Sequence, residues 1–422
     1  MNRRRVVTGV RIVGVVAVCG LALLLAVRLQ ARSADVKLEN EFRQKVGPLD
    51  PAAYASPAVP DAENAAIWLR AAAAALTLSK EDKDLVAALG HPAADRWTAV
   101  QQTAIERVFS RNAPALALAE RASAMPRSNF QQSGSGATNS KDPVPLFDLI
   151  WLARVIDERA RVAARQGDWA VFRQGTFELA CVGASLERES PLMSQLVGVA
   201  VERMMFDAIL GGLRSTLVDR AALEGLGAAI PNVALVPAWR RAVGALAAGV
   251  HAGLIDPHDL FDKGSTEVAM SVPSPEEYLR IALSVEGLAA RPLGLDPPLA
   301  DHLEKAKGLE KGRTISDLLA LSLVRYQSIV SLRQLARVAI SLRLAALENG
   351  RYPDTLAAWP EASAPDPFTG GRLRYELTAD GSAVVAVPGA EELYDRINQV
   401  KSFVPYTWAL PAPASGTPTT TE

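Results

Sequence analysis

Apolar residues recur along most of this chain at steps of three and four, and at steps of two only near its C-terminal end. The first spacing lines one face of a helix and the second one face of a strand. Ahead of both patterns, Ile12 to Val27 runs sixteen residues without a charge. Taken back to Val6 the run holds only Thr8 and Arg11 as polar members, and its length matches the ~20 residues that a bilayer-spanning helix needs. Arg11 and Arg28 stand where long side chains can reach the headgroups. Arg3 to Arg5 precede the run, so the positive-inside rule keeps that end in the cytoplasm and places the rest outside. A cleaved signal peptide shares the charged start, but Arg28 to Ala34 contains no clean Ala-x-Ala site.

Beyond the apolar run, a short charged helix around Val36–Val46 leads into Gly47-Pro48, Pro51, Pro57 and Pro60, a proline density that predicts an extended connector. Helices begin at Asp61, a plausible N-cap, and continue at about 82–89, 94–111 and 114–124, with a polar Gly/Ser-rich loop at Ser128–Asp142. From Leu146 to about Arg165, apolar side chains at 149, 152, 156, 160 and 163 make one stripe. Gln166-Gly167-Asp168 breaks that helix, a second runs from Trp169 to about Glu189, and Ser190-Pro191 opens a third. Another spans about 238–253, and residues 275–289 read as helical. The longest starts near Thr314, where Thr314 and Asp317 fit a capping box, and stops at Gly350. Its stripe is Ile329, Leu332, Leu335, Val338, Leu342 and Ala345, which leaves Arg325, Arg333, Arg337 and Arg343 as a solvated face. Arg372–Leu377 and Ser382–Val387 then flank Thr378-Ala-Asp-Gly381, a hairpin signal.

The pattern predicts a mainly α protein. A cytoplasmic stub and N-terminal transmembrane helix occupy 1–32, a Pro-rich connector 33–60 and a helical-hairpin body 61–312. A long helix with a small C-terminal β-hairpin packed on it follows over 313–404, and a Pro/Thr-rich disordered tail over 405–422. Composition agrees: 49% of the 422 residues are apolar, only 6% aromatic, and 22% charged, which is globular and leans on good helix formers. The net charge of −1 is uneven. Residues 1–32 hold six arginines and no acid, which leaves 39 basic residues against 46 acidic ones, or −7, on the remainder. A mildly acidic body offers no footprint for nucleic acid. Cys19 and Cys181 are too differently placed to form a disulfide framework.

The stretch Leu342–Val387 carries Leu-Glu-Asn-Gly-Arg-Tyr-Pro, then Asp366-Pro-Phe-Thr-Gly370, then Leu373-Arg-Tyr375. It resembles the end of type II secretion pseudopilins, in which a long helix ends in a Gly-x-Tyr-Pro turn before a small hairpin. The resemblance implies a hairpin packed back on the helix. The Gly-Phe processing site and the acidic C-terminal loop of the major pseudopilins are missing, so it implies neither pilus assembly nor calcium. The whole layout, including Asn64-Ala65-Ala66, also resembles a group of membrane-anchored bacterial proteins of planctomycetes and acidobacteria, which implies architecture and a bacterial inner-membrane location.

Candidate chemistry is sparse. His251, Asp256 and His258, with Asp259 and Asp262, place imidazoles and carboxylates close together and make the one candidate metal site. Asp-Pro-His-Asp is equally a turn with capping aspartates. No HExxH, CxxC, GxSxG, Walker A or Rossmann glycine pattern occurs, so no catalytic residue and no cofactor is assigned. Ser133-Gly-Ser-Gly136 has nothing strand-like before it. The acid pairs Asp157-Glu158, Glu187/Glu189 and Glu276-Glu277 read as solvated surface. The expectation is a non-enzymatic envelope protein that binds a protein or peptide partner through helical grooves. An enzyme with a metal at 251–262 and a secretion-system accessory subunit are the alternatives.

Overall fold

The computed structural model describes residues 33–89, 98–131, 144–189, 191–232, 234–255, 274–289, 315–357, 359–398 and 405–413. The predicted transmembrane segment and the Ser133–Gly136 motif lie outside them. Among the described residues no helix is long and apolar enough to cross a membrane.

The described chain is mainly helical with one three-stranded antiparallel sheet. Helix α1 covers 33–45. It is followed by α2 (Ala65–Ala75), α3 (Lys80–Leu89), α4 (Ala99–Arg111), α5 (Ala113–Ser123), α6 (Leu146–Gln166), α7 (Trp169–Glu187), α8 (Leu192–Leu213), α9 (Arg220–Ala229), α10 (Leu235–His251), α11 (Pro275–Ala289) and α12 (Ile315–Asn349). The sheet holds β1 (Arg374–Leu377), β2 (Ala383–Ala386) and β3 (Thr407–Leu410), with α13 (Ala390–Asn398) between the last two strands.

Local chemistry sets the boundaries. The α6–α7 hairpin turns at Gly167, whose φ of 75° is a left-handed conformation that suits glycine, and Asp168 accepts from the Val171 amide to cap α7. A side-chain and backbone pair between Thr98 and Gln101 boxes the start of α4. The cap at the first body helix differs from expectation. Asp61 opens a single 3-10 turn, and α2 starts at Ala65 with Asn64 as its cap. Asn64 is fully buried: its Oδ1 accepts from Ala66 and Asn129 amides, and its Nδ2 donates to the Asn129 carbonyl. One carboxamide thereby caps a helix and fastens a loop sixty-five residues away.

α12 is the central element. α8, α9, α10, α11 and α13 pack around it, with β2 and β3. Its predicted stripe is buried from Ile329 to Leu342, but the opposite side is covered too. The expected solvated arginine face is therefore incorrect for Arg333 and Arg343, both nearly inaccessible, while Arg325 is exposed. Arg333 grips Glu202 of α8 through two parallel bonds, Nε to Oε1 at 2.6 Å and Nη2 to Oε2 at 2.8 Å, and reaches Glu187 of α7 at 3.0 Å. Burial and the neighbouring Glu202 carboxylate push the Glu187 carboxyl well above the usual range. Arg333 offsets that repulsion by bonding to both acids at once. Glycines bring these acids together: a Cβ on Gly198 would lie 2.7 Å from the Gly183 carbonyl oxygen, so α7 and α8 approach closely only without side chains there.

Two further expectations are corrected. Residues 33–60 are no extended tether, because Phe42, Tyr54 and Val59 are buried and the Tyr54 ring lies against Gly244 of α10. The start of the tail is not disordered: Thr407–Leu410 form β3, paired with β2 in register Val385 to Trp408. Trp408 is fully buried and donates to the Pro405 carbonyl at 2.8 Å. Arg343 and the Tyr352 hydroxyl both donate to the Pro411 carbonyl, which ties the segment to α12.

Candidate functional site

A cavity of about 470 Å³ lined by charged side chains lies where α3, α6, α8, α12 and α13 meet. That falls within the ~300–1,000 Å³ of small-ligand sites. α6 contributes Arg154, Asp157, Glu158 and Arg161, at i, i+3, i+4 and i+7, so one helical face carries all four. α8 contributes Leu196, Val199, Ala200, Arg203, Met204 and Asp207 on the same periodicity. Val86 of α3 extends the apolar wall, and Arg325 of α12 and Tyr394 of α13 close the far side.

The charges fall into three states. Arg161 is saturated: it donates to Asp157 at 3.0 Å and to Asp207 of α8. Arg203 is buried, donates to Ser328 at 3.1 Å and Tyr406 at 3.3 Å, and stands 4.3 Å over the Tyr394 ring. Arg154 stacks on Trp151 at 4.7 Å, and neither it nor exposed Arg325 has an acid partner among the described residues.

The acids contradict the surface reading of Asp157-Glu158. Both are almost fully inaccessible, because α6 is enclosed by α2, α3, α7 and α8. Burial pushes Asp157 up to about 6, against the pull of Arg161. Burial, reinforced by the Asp157 charge, pushes Glu158 up to about 8. Both effects favour the neutral form of Glu158, and its buried Oε2 has no hydrogen-bond partner among the described residues. Glu187 and Glu189 are buried as well. Glu189, raised to about 7 by burial, accepts from the Phe130 amide at 2.8 Å. Glu276 and Glu277 are accessible, as expected.

Of the candidate metal residues only His251 is among the described ones. His251 ends α10, and its Nε2 stands 3.6 Å from Glu39 of α1. Asp256, His258, Asp259 and Asp262 lie outside the described residues. Among the described residues no group of three potential ligands comes together. Cys181 donates to the Ala122 carbonyl at 3.4 Å, and burial raises its thiol to about 11, which removes it as a nucleophile.

The cavity offers carbon walls, two guanidinium groups without an acid partner among the described residues, and one carboxyl pushed toward its neutral form. Its lining contains no serine, threonine, cysteine, histidine or lysine. Guanidinium groups, carboxyls and an apolar wall together can orient and hold a ligand. The site leaves no apolar stripe in the sequence, because charged residues occupy the helical period on this face of α6. Compared with protein-family models, with curated proteins and with solved structures, the chain matches none.

Proposed function

We propose that this chain is a membrane-anchored binding module: residues 12–27 cross the bacterial inner membrane, the helical body faces the extracytoplasmic side, and the cleft between α3, α6, α8 and α12 takes a short segment of a partner protein. The sequence supports the anchor through the uncharged run and the arginines that precede it. The cleft carries the functional half. It is sized for a ligand, walled by Val86, Leu196, Val199 and Met204, and lined by charged groups that can fix a ligand's orientation. Helical grooves that take a partner's segment work by this combination of apolar contact and a few fixed polar groups.

The test uses the full chain with a C-terminal tag. It is expected in the membrane fraction, with its body cleaved by protease added outside spheroplasts. A partner co-purifying from solubilised membranes should be lost with Ala200→Trp, a substitution at an exposed position that fills the cleft. A protected body overturns the topology. The same partner on both proteins, or none on either, overturns the binding role.

A further inference from the structure

We propose that the segment bound in this cleft is anchored by a carboxylate, seated at Arg154 and Arg325 with its apolar neighbours against the carbon wall. The inference rests on the cleft being the partner site and names the chemistry it selects.

The unsatisfied groups decide the ligand's sign. Arg161 is neutralised by Asp157 and Asp207, and Arg203 is engaged by Ser328, Tyr406 and the Tyr394 ring. Arg154 and Arg325 have no acid partner among the described residues. Glu158, the remaining acid, is 1% exposed with Oε2 unpartnered, and its burial favours the neutral form. In that form it presents a hydrogen-bond donor where a carboxylate was expected. Two guanidinium groups and an acid hydroxyl are all donors, and they call for an acceptor with negative charge.

A carboxylate fits better than a phosphate. Asp157 and Asp207 stand in the same cavity, so a second negative charge on the ligand adds repulsion, and the apolar wall makes desolvating a dianion more costly. A planar carboxylate also matches the guanidinium fork. It can come from an acidic side chain within the segment or from a chain's C-terminus.

The experiment measures fluorescence anisotropy with full-length protein in detergent and four dye-labelled peptides of one apolar body. The first is Leu-Leu-Glu-Leu ending in an amide, and the second is Leu-Leu-Gln-Leu ending in an amide. The third is Leu-Leu-Gln-Leu with a free C-terminal acid, and the fourth carries phosphoserine in place of Glu. At least one carboxylate peptide should bind about tenfold or more tighter than the neutral amide, as a hydrogen-bonded charge warrants, and which one identifies the source. Arg325→Gln, at an exposed site that does not hold the fold, should bring that peptide to the neutral amide's affinity; Arg154→Gln should do the same and Arg154→Lys recover part of the loss. Equal binding of acid and neutral peptides overturns the carboxylate and leaves the cleft as a binding site. A preference for the phosphopeptide overturns it in favour of a dianion. No binding by any peptide overturns both readings.

Discussion

Replacing Arg333 by methionine removes the cation that holds two buried acids from different helices. Its guanidinium bonds Glu202 at 2.6 and 2.8 Å and Glu187 at 3.0 Å, at sites with almost no solvent exposure. Unit charges ~4 Å apart at an effective dielectric near 20 interact by roughly 4 kcal/mol, and breaking one side of a buried pair costs about 3–5 kcal/mol because the other charge is stranded. Arg333→Met should lose that amount. The two acids should behave differently from one another. Glu202→Gln removes the charge that faces the guanidinium and should cost a similar 3–5 kcal/mol. Burial and the Glu202 carboxylate raise the Glu187 carboxyl and favour its neutral form, so Glu187→Gln should cost less than Glu202→Gln. Urea unfolding of the full-length chain in detergent, followed by circular dichroism with all three variants at pH 7, reads the midpoints directly. Equal damage from Glu187→Gln and Glu202→Gln would refute the upward shift of the Glu187 carboxyl.

The raised acids also set a pH dependence: Asp157 at about 6, Glu189 at about 7 and Glu158 at about 8 all exceed their unfolded values near 4. The folded chain keeps protons that the unfolded chain has released, so this stability is present below the unfolded values and is lost as pH rises through the folded ones. The thermal midpoint should be higher at pH 5 than at pH 8, and the reverse order contradicts the burial of these groups. Gly198→Ala should destabilise by about 1–3 kcal/mol through contact with Gly183, whereas Gly211→Ala, with open space around it, should gain up to about 1 kcal/mol of helix propensity; thermal shifts of the two side by side check the close approach of α7 and α8. Trp408→Ala should cost about 3–5 kcal/mol and expose the C-terminal segment to protease, an outcome that a disordered tail would not give.

Helix positions were legible in the chain because their signals are local. Gly167-Asp168 contains both the turn and the cap, and the stripe from Leu149 to Ala163 faces the core as its spacing requires. The hairpin of β1 and β2 follows from Asp380-Gly381 in the same way. β3 was hidden because prolines surround it, although Trp408 and Leu410 show the buried alternation of a strand. The arginines of α12 misled because period alone cannot distinguish a helix on the surface from one packed on several sides. The partners of Arg333 lie 131 and 146 residues away, and no local pattern pairs them. The cleft was legible in form but not in meaning. Arg154, Asp157, Glu158 and Arg161 keep the helical step, yet only the arrival of α8 and α3 turns that charged face inward.

Photo-crosslinking from the cleft tests the binding role most directly. A benzoylphenylalanine placed at Ala200, inside the cleft, is compared in living cells with one at Val100, an exposed residue on α4. A discrete adduct from Ala200, absent from Val100 and diminished by Arg325→Gln, is the expected result. No adduct from Ala200, or the same adduct from both positions, contradicts the cleft as the partner site.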